Sequence, residues 1–205
     1  MIFMNSTEVV ARCAELASRA HTLYSIDKKH STRKDGVTPF IVHPARVAAI
    51  VDKSGSIYQA VGAAWLHDVL EDTHVSHDNI MNELTAKGVN KADINSILNL
   101  VSVLTKDSTK DRYGKLDSTV YKISCMPLQF QYYAISIKLA DLIDNLTVLD
   151  GVTPSFIIHH YIPETEYLVS KLHQLPAGAN TKLENQLSKL IERRKKDYGI
   201  WKSDN

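Results

Sequence analysis

Apolar residues recur along this chain at intervals of three and four, the spacing that lines one face of an α-helix, while period-two alternation is scarce. Ser6 or Thr7 is predicted to open a first helix running to about Tyr24, with Val9, Val10, Cys13, Leu16, Ala17 and Ala20 on one face. A polar loop over 28–38 leads to a helix entered at Pro44, whose missing N–H suits a first turn, and Ser54-Gly55 breaks it. The next apolar run is read as one helix carrying Ala60 through Asp72. Ser76 caps a helix ending near Gly88, and Asn90 caps one through Leu104. The polar, breaker-rich stretch 106–115 predicts a loop, 116–126 a helix, and Pro127 the start of a long helix through Asp141. Pro154, Pro163 and Pro176 punctuate the tail, leaving a helix near 164–174. Residues 181–198 form a last amphipathic helix with Leu183, Leu187, Leu190 and Ile191 inside. The expected class is all-α, a bundle of about eight to ten helices.

One segment breaks the pattern. Trp65 to Thr73 sets His67, Asp68, Glu71 and Asp72 into an otherwise apolar run. On a helix His67 would align with Glu71, and Asp68 with both Glu71 and Asp72. A solvated polar face at a helix end is the plain alternative, but Ala60, Val61, Ala63, Ala64, Leu66, Val69 and Leu70 leave little polar face. Three acids in apolar surroundings call for a cation. Further ligands are visible elsewhere. His43 follows Phe40-Ile41-Val42, and Asp141 sits in the nearly wholly apolar stretch 134–143. Singly, these are an ordinary capping or core histidine and an ion-paired acid. With His67-Asp68 they complete a two-His, two-Asp set, whose mixed N/O ligation suits Mn²⁺, Fe²⁺, Co²⁺ or Zn²⁺.

The arrangement His43 … His67-Asp68 … Asp141 resembles the HD superfamily of metal-dependent phosphohydrolases. The stretch from His30 to Ala48, with Arg33, Lys34, Gly36, Pro39, Phe40, His43 and Pro44, is similar to the "RKxGxPYxxHPxxVA" opening of the Rel/Spo-type alarmone hydrolases. His67 to Thr73 is similar to their "HDVxEDT" motif, Leu104-Thr105-Lys106 to "VTK", and Ile137 to Asp141 to "xKLAD". The resemblance runs in order from about residue 10 to residue 150. It implies an HD-domain bundle, with 1–150 as the hydrolase core and 151–205 as a helical extension packed on the same domain. It further implies that His43, His67, Asp68 and Asp141 ligate a metal, usually Mn²⁺. Glu71 and Asp72 would position or activate the attacking water, and Arg33 and Lys34 would contact the nucleotide or its phosphates. Asn145 falls where the family has an asparagine facing the nucleotide.

There are departures. Phe40 replaces the family's tyrosine, and "RLHNMRTL" becomes Leu142-Ile143-Asp144-Asn145-Leu146-Thr147-Val148-Leu149. Val148 thus stands at the threonine position. Phe40 and Val148 are expected to line the base or ribose side without hydrogen bonds, which relaxes guanine selection.

The chemistry agrees on general grounds. A divalent ion lowers the pKa of water bound to it, and a neighbouring carboxylate takes or steers the proton. Cations then offset the charge that builds on phosphoryl oxygens. Arg33-Lys34 could equally be a solvated basic turn. In the polar loop, Lys106 and Arg112, the latter beside Tyr113, are further substrate candidates, with simple solvation as the alternative for Arg112.

Composition bounds the rest. At 205 residues the chain is long enough for one proper core. Its 24 basic and 23 acidic residues, net +1, give no footprint for nucleic acid. Cys13 and Cys125 show no disulfide or metal-knuckle spacing, which fits a reduced compartment. With no charged leader, no apolar signal core and no membrane-length run, a cytoplasmic protein is expected. Oligomeric state is not legible. His159-His160 point to different helix faces, and His74 and His77 read as loop or cap residues. Arg193-Arg194-Lys195-Lys196 complement a helix dipole.

The expected activity is metal-dependent hydrolysis of (p)ppGpp, a small nucleotide, at the 3′-pyrophosphate, without the synthetase regions of the longer enzymes. The alternatives are another nucleotide phosphohydrolase, such as a nucleotidase or an NADPH 2′-phosphatase, and a catalytically retired nucleotide-binding module.

Overall fold

The computed structural model describes residues 4–27 and 31–200; the expectations about the first three residues and about positions 28–30 of the predicted loop lie outside them. The described chain is helical, with two isolated bridges, Ser25 with Thr73 and Thr32 with Pro39, and no strand among the described residues. In order the helices are α1 (Ser6–Leu23), α2 (Val42–Lys53), α3 (Tyr58–Leu66), α4 (Val69–Asp72), α5 (His77–Ala86), α6 (Lys91–Leu104), α7 (Arg112–Ser124) and α8 (Leu128–Thr147). They are followed by α9 (Pro154–Phe156), a π-helical turn (Ile157–Tyr161), α10 (Ile162–Leu172) and α11 (Thr181–Asp197).

Helix α3 is the centre of the bundle, packed by α1, α2 and α6, while α8 packs against both α2 and α11. The sequence explains this. Ala60, Val61, Gly62, Ala63 and Ala64 give α3 a thin, apolar surface that neighbours can approach closely. A Cβ on Gly62 would stand 3.0 Å from the Cys13 sulfur. Burial pushes the Cys13 thiol up to about 12, so this cysteine serves as a small apolar core residue.

Caps mark most of the boundaries. Ser76, Asn90 and Asn180 accept backbone N–H groups at the starts of α5, α6 and α11. The first helix is capped by Asn5 instead of Ser6 or Thr7. The Asn5 side chain accepts from Glu8 N at 3.0 Å and the Glu8 carboxylate accepts from Asn5 N at 2.8 Å.

Four other boundaries differ from expectation. Helix α2 begins at Val42, which leaves Pro44 inside the first turn, where a missing N–H still costs nothing. The helix predicted across His67 is broken. α3 stops at Leu66, Asp68 adopts φ −97° and ψ −5°, and α4 is a separate short turn. Helix α7 starts four residues early, because Asp111 accepts from Gly114 N at 2.7 Å and turns the end of the polar loop into a cap. The tail is helical from Pro154 through Leu172, despite Pro163. A proline ring crowds the carbonyl four residues back, and the wider π-turn just before it accommodates this, with Ile162 N donating to Ile157 O.

The basic run of α11 serves another helix. Arg194 donates from Nε to Leu146 O at 2.8 Å and from a terminal nitrogen to Thr147 O at 2.9 Å, closing the C-terminus of α8. Among the described residues, no helix is long and apolar enough to cross a membrane.

Candidate metal and substrate site

Three elements converge on one point. Helix α2 supplies His43, the α3–α4 junction supplies His67 and Asp68, and α8 supplies Asp141 and Asp144. His67 donates its Nδ1–H to Ala64 O at 2.7 Å, since a carbonyl can only accept. Its Nε2, which carries a lone pair in the neutral ring, is buried 3.2 Å from Asp68 Oδ2. His43 donates its Nδ1–H to Asp144 Oδ2 at 2.7 Å. Its Nε2 faces Asp141 Oδ1 at 3.2 Å and Asp68 Oδ2 at 3.5 Å. The donor atoms of His43, His67 and Asp68 all lie within 4.8 Å of one another. Two imidazole nitrogens and two carboxylates aimed at one buried point need either protons on the imidazoles or a cation between them.

The electrostatics say the same. Burial works against a charged His43, but hydrogen bonds to Asp141 and Asp144 push its pKa up to about 9. His67 is also raised, against burial, by Asp68. Asp68 is held well below the usual carboxylate range by His67 against the opposing effect of burial, and Asp141 likewise by Lys138. This surplus of negative charge draws protons onto imidazoles that a divalent cation would free. The residues fit such an ion, and the mixed N/O donor set is the type that divalent transition metals take. Asp141 is the most committed of the four. Its Oδ2 accepts from Lys138 Nζ at 2.7 Å, and its Oδ1 accepts from Asn145 Nδ2 at 2.5 Å.

A cavity of about 270 Å³ opens on this cluster. His43, Asp68 and Asp141 lie at one end with Glu71, Asp72, Lys106, Arg33 and Asn145, and Phe40, Leu116, Leu142, Leu146 and Leu168 form an apolar side. Glu71 is fixed on two sides, accepting from Lys106 N at 2.7 Å and Lys106 Nζ at 2.9 Å. Burial of the Lys106 ammonium would lower its pKa, but Glu71, Asp68 and Asp141 raise it overall.

The loop bearing Arg33 and Lys34 is tightly built. Arg33 N donates to Thr38 O at 2.7 Å, and Asp35 accepts from Val37 N, Thr38 N and the Thr38 hydroxyl. Arg33 donates to Asn145 Oδ1 at 3.1 Å, and its guanidinium lies 5.8 Å from the centre of the Phe40 ring. Gly151, at φ +75°, backs this loop so closely that a Cβ would stand 2.1 Å from Lys34 O.

The remaining candidates sit differently. Lys34 turns to the rim, where its ammonium bonds the Tyr161 hydroxyl and lies over the Tyr161 and Phe156 rings. Burial, with Arg33 and Arg112 nearby, lowers its pKa to about 8. Arg112 pairs with Glu164 at 2.7 Å and stacks on Phe156, so it borders the cavity through Glu164. Val148 does not line the cavity, because α8 ends at Thr147 and the chain turns away; it lies in a separate small cleft with Arg33, Lys34 and Arg46.

Sequence reasoning missed Asp144, although an acid one turn past Asp141 in an apolar helix was a visible signal. It also missed Tyr161 and Glu164, which the prolines of the tail obscured. His159 and His160 bring no ligand to the cluster, and His160 instead faces Glu164 at 3.6 Å.

No family profile matches the chain. It is 30% identical over 169 residues to a mouse protein, guanosine-3′,5′-bis(diphosphate) 3′-pyrophosphohydrolase MESH1, covering 81% of this chain and 87% of the mouse one. It is 32% identical over 123 residues to the Escherichia coli bifunctional (p)ppGpp synthase/hydrolase SpoT, covering 60% of this chain and 16% of SpoT. Its fold matches the solved structure of a metazoan SpoT ortholog described as hydrolysing ppGpp, with a TM-score of 0.67 at 22% identity, over 95% of this chain and 98% of that one.

Proposed function

The chain belongs to the HD-type guanosine-3′,5′-bis(diphosphate) 3′-pyrophosphohydrolase family, and we propose that it hydrolyses (p)ppGpp at the 3′-pyrophosphate with Mn²⁺ held by His43, His67, Asp68 and Asp141. The observation that carries this reading is the buried Nε2 of His67, 3.2 Å from Asp68 Oδ2 and beside the His43 ring. Bound there, a divalent ion supplies Lewis acidity to the phosphoryl group and lowers the pKa of adjacent water.

The chain's own residues do the rest. Asp72 and Glu71 take the proton of the attacking water and orient it, work worth about 10²–10⁴-fold. The water oxygen bonds to the phosphorus carried by the ribose 3′ oxygen, and that P–O bond breaks. The 3′ oxygen is protonated, so ppGpp and water become GDP and pyrophosphate. Lys106 and Arg33 offset the charge that builds on the phosphoryl oxygens. The proposed ligands all come from the part of the chain before residue 150, and Tyr161, Glu164 and Leu168 of the following part complete the cavity wall. Phe40, without a hydroxyl, leaves the base loosely selected, so adenine alarmones are cleaved as well.

Arg33 offers a planar fork to phosphate oxygens, so Arg33→Ala raises KM for ppGpp by about tenfold. The effect on any mononucleotide is smaller. Steady-state kinetics on ppGpp and GMP check this, and equal effects on both would remove Arg33 from polyphosphate recognition.

Gly151→Ala drives a methyl group into the Lys34 carbonyl and displaces the whole loop. A misplacement of this size lowers kcat/KM by about 10–10²-fold. Unchanged kinetics in the folded variant would show that the loop position is not used.

Pure protein with Mn²⁺, offered ppGpp, GTP, dNTPs and NADPH separately, tests the function itself. Turnover is expected with ppGpp. Turnover of NADPH or a dNTP with ppGpp untouched would favour a different phosphohydrolase, and binding of ppGpp without any hydrolysis would mean a retired module.

A further inference from the structure

Asp144 is almost fully buried and does not line the cavity, yet one of its oxygens serves both sides of the site. Oδ2 accepts the Nδ1–H of His43 at 2.7 Å and lies 3.9 Å from the Arg33 guanidinium. Arg33 donates to Asn145 Oδ1 at 3.1 Å, and Asn145 Nδ2 donates to Asp141 Oδ1 at 2.5 Å. Asp141 Oδ1 in turn stands 3.2 Å from His43 Nε2. Five side chains therefore form a closed ring, His43–Asp144–Arg33–Asn145–Asp141. The metal-facing nitrogen lies on one side of the ring and the phosphate-facing guanidinium on the other.

We propose that Asp144 is a positioning residue that couples metal binding to binding of the phosphorylated substrate. A carboxylate on the far nitrogen of a ligand histidine fixes its tautomer and orientation and strengthens its donor nitrogen. The same buried charge draws Arg33 to the ring, because an unscreened carboxylate needs a cation close by. Whatever settles His43 in place also settles Asp144, and with it Arg33, and by linkage the reverse holds. Asp144 stands where the "RLHNMRTL" motif has histidine, and a neutral imidazole cannot supply this charge. The substrate half rests on the alarmone reading above, whereas the metal half has its own readout.

The test uses the full chain, stripped of metal, as wild type, Asp144→Asn and Asp144→Ala. Asparagine keeps an acceptor for the His43 Nδ1–H but loses the charge, while alanine loses both. Calorimetric titration with Mn²⁺ alone is expected to show affinity falling in the order Asp, Asn, Ala, by about 10–100-fold at the end of the series. Metal-free melting curves establish that each variant is folded, and if the alanine protein is not, the asparagine titration decides.

At saturating Mn²⁺, Asp144→Asn is expected to raise KM for ppGpp in the wild-type background and to leave it unchanged in Arg33→Ala, a non-additivity that a general loosening of structure would not give. Mn²⁺ affinity within twofold of wild type in the folded variants would overturn the metal half. Simple multiplication of the two KM effects would overturn the coupling. If the wild-type protein leaves ppGpp untouched, the substrate reading fails, and the Mn²⁺ titration still decides what Asp144 does for the metal.

Discussion

His67→Ala removes the divalent ion and the hydrolytic activity together. The imidazole donates Nδ1–H to Ala64 O and so presents Nε2 beside Asp68 in a buried position, where a divalent ion would take its lone pair. No neighbouring side chain can replace that donor. A divalent ion used as a Lewis acid is worth several kcal/mol, so kcat/KM is expected to fall by at least about 10³-fold. Asp141→Ala has a second consequence, because it strands the Lys138 ammonium with which Asp141 is paired in the interior. Elemental analysis after mild purification checks both variants beside the wild type. Metal content unchanged in both would sink the ligand assignment, whatever happened to the activity.

The next largest effect falls on the acids of α4, and it is of another kind. Asp72→Asn and Glu71→Gln leave the ligand set intact and are expected to retain metal while losing about 10²–10⁴-fold in kcat. The two are not equivalent. Glu71 is held by Lys106 through both backbone and ammonium, so Glu71→Gln also releases that cation and raises KM. Asp72 also lines the cavity, and if it handles the proton of the water, Asp72→Asn lowers kcat more than it raises KM. Rapid-quench and steady-state rates at saturating Mn²⁺ separate these terms. A loss confined to KM in both variants would show that the acids bind substrate and handle no proton.

The helical pattern made most of the bundle legible. The apolar stretch around Ile135 to Ile143 could only be a buried helix, and α8 spans Leu128–Thr147. Ser76 and Asn90 announced α5 and α6 because their side chains cap locally, a property that needs no tertiary partner. The proposed ligands stood out for a related reason, since His67, Asp68 and Asp141 are costly residues in apolar surroundings.

What the pattern hid was set by distant parts of the chain. Nothing local in Leu66-His67-Asp68-Val69 breaks a helix; the break appears where His67 and Asp68 turn towards a histidine from α2. Asp144 draws its meaning from His43, which lies 101 residues away. Tyr161 meets Lys34 only because a π-turn precedes Pro163 and carries the chain through a position where a proline reads as a stop. Val148 could be aligned with a motif but not placed, because the direction of the chain after Thr147 depends on the loop backed by Gly151.

The products of ppGpp hydrolysis test the central claim most directly. Phosphorus NMR on metal-loaded protein with ppGpp is expected to show pyrophosphate and GDP accumulating in equal amounts, with both signals absent from His67→Ala. Orthophosphate as the released product, or intact ppGpp beside a fully metal-loaded protein, would contradict a 3′-pyrophosphohydrolase.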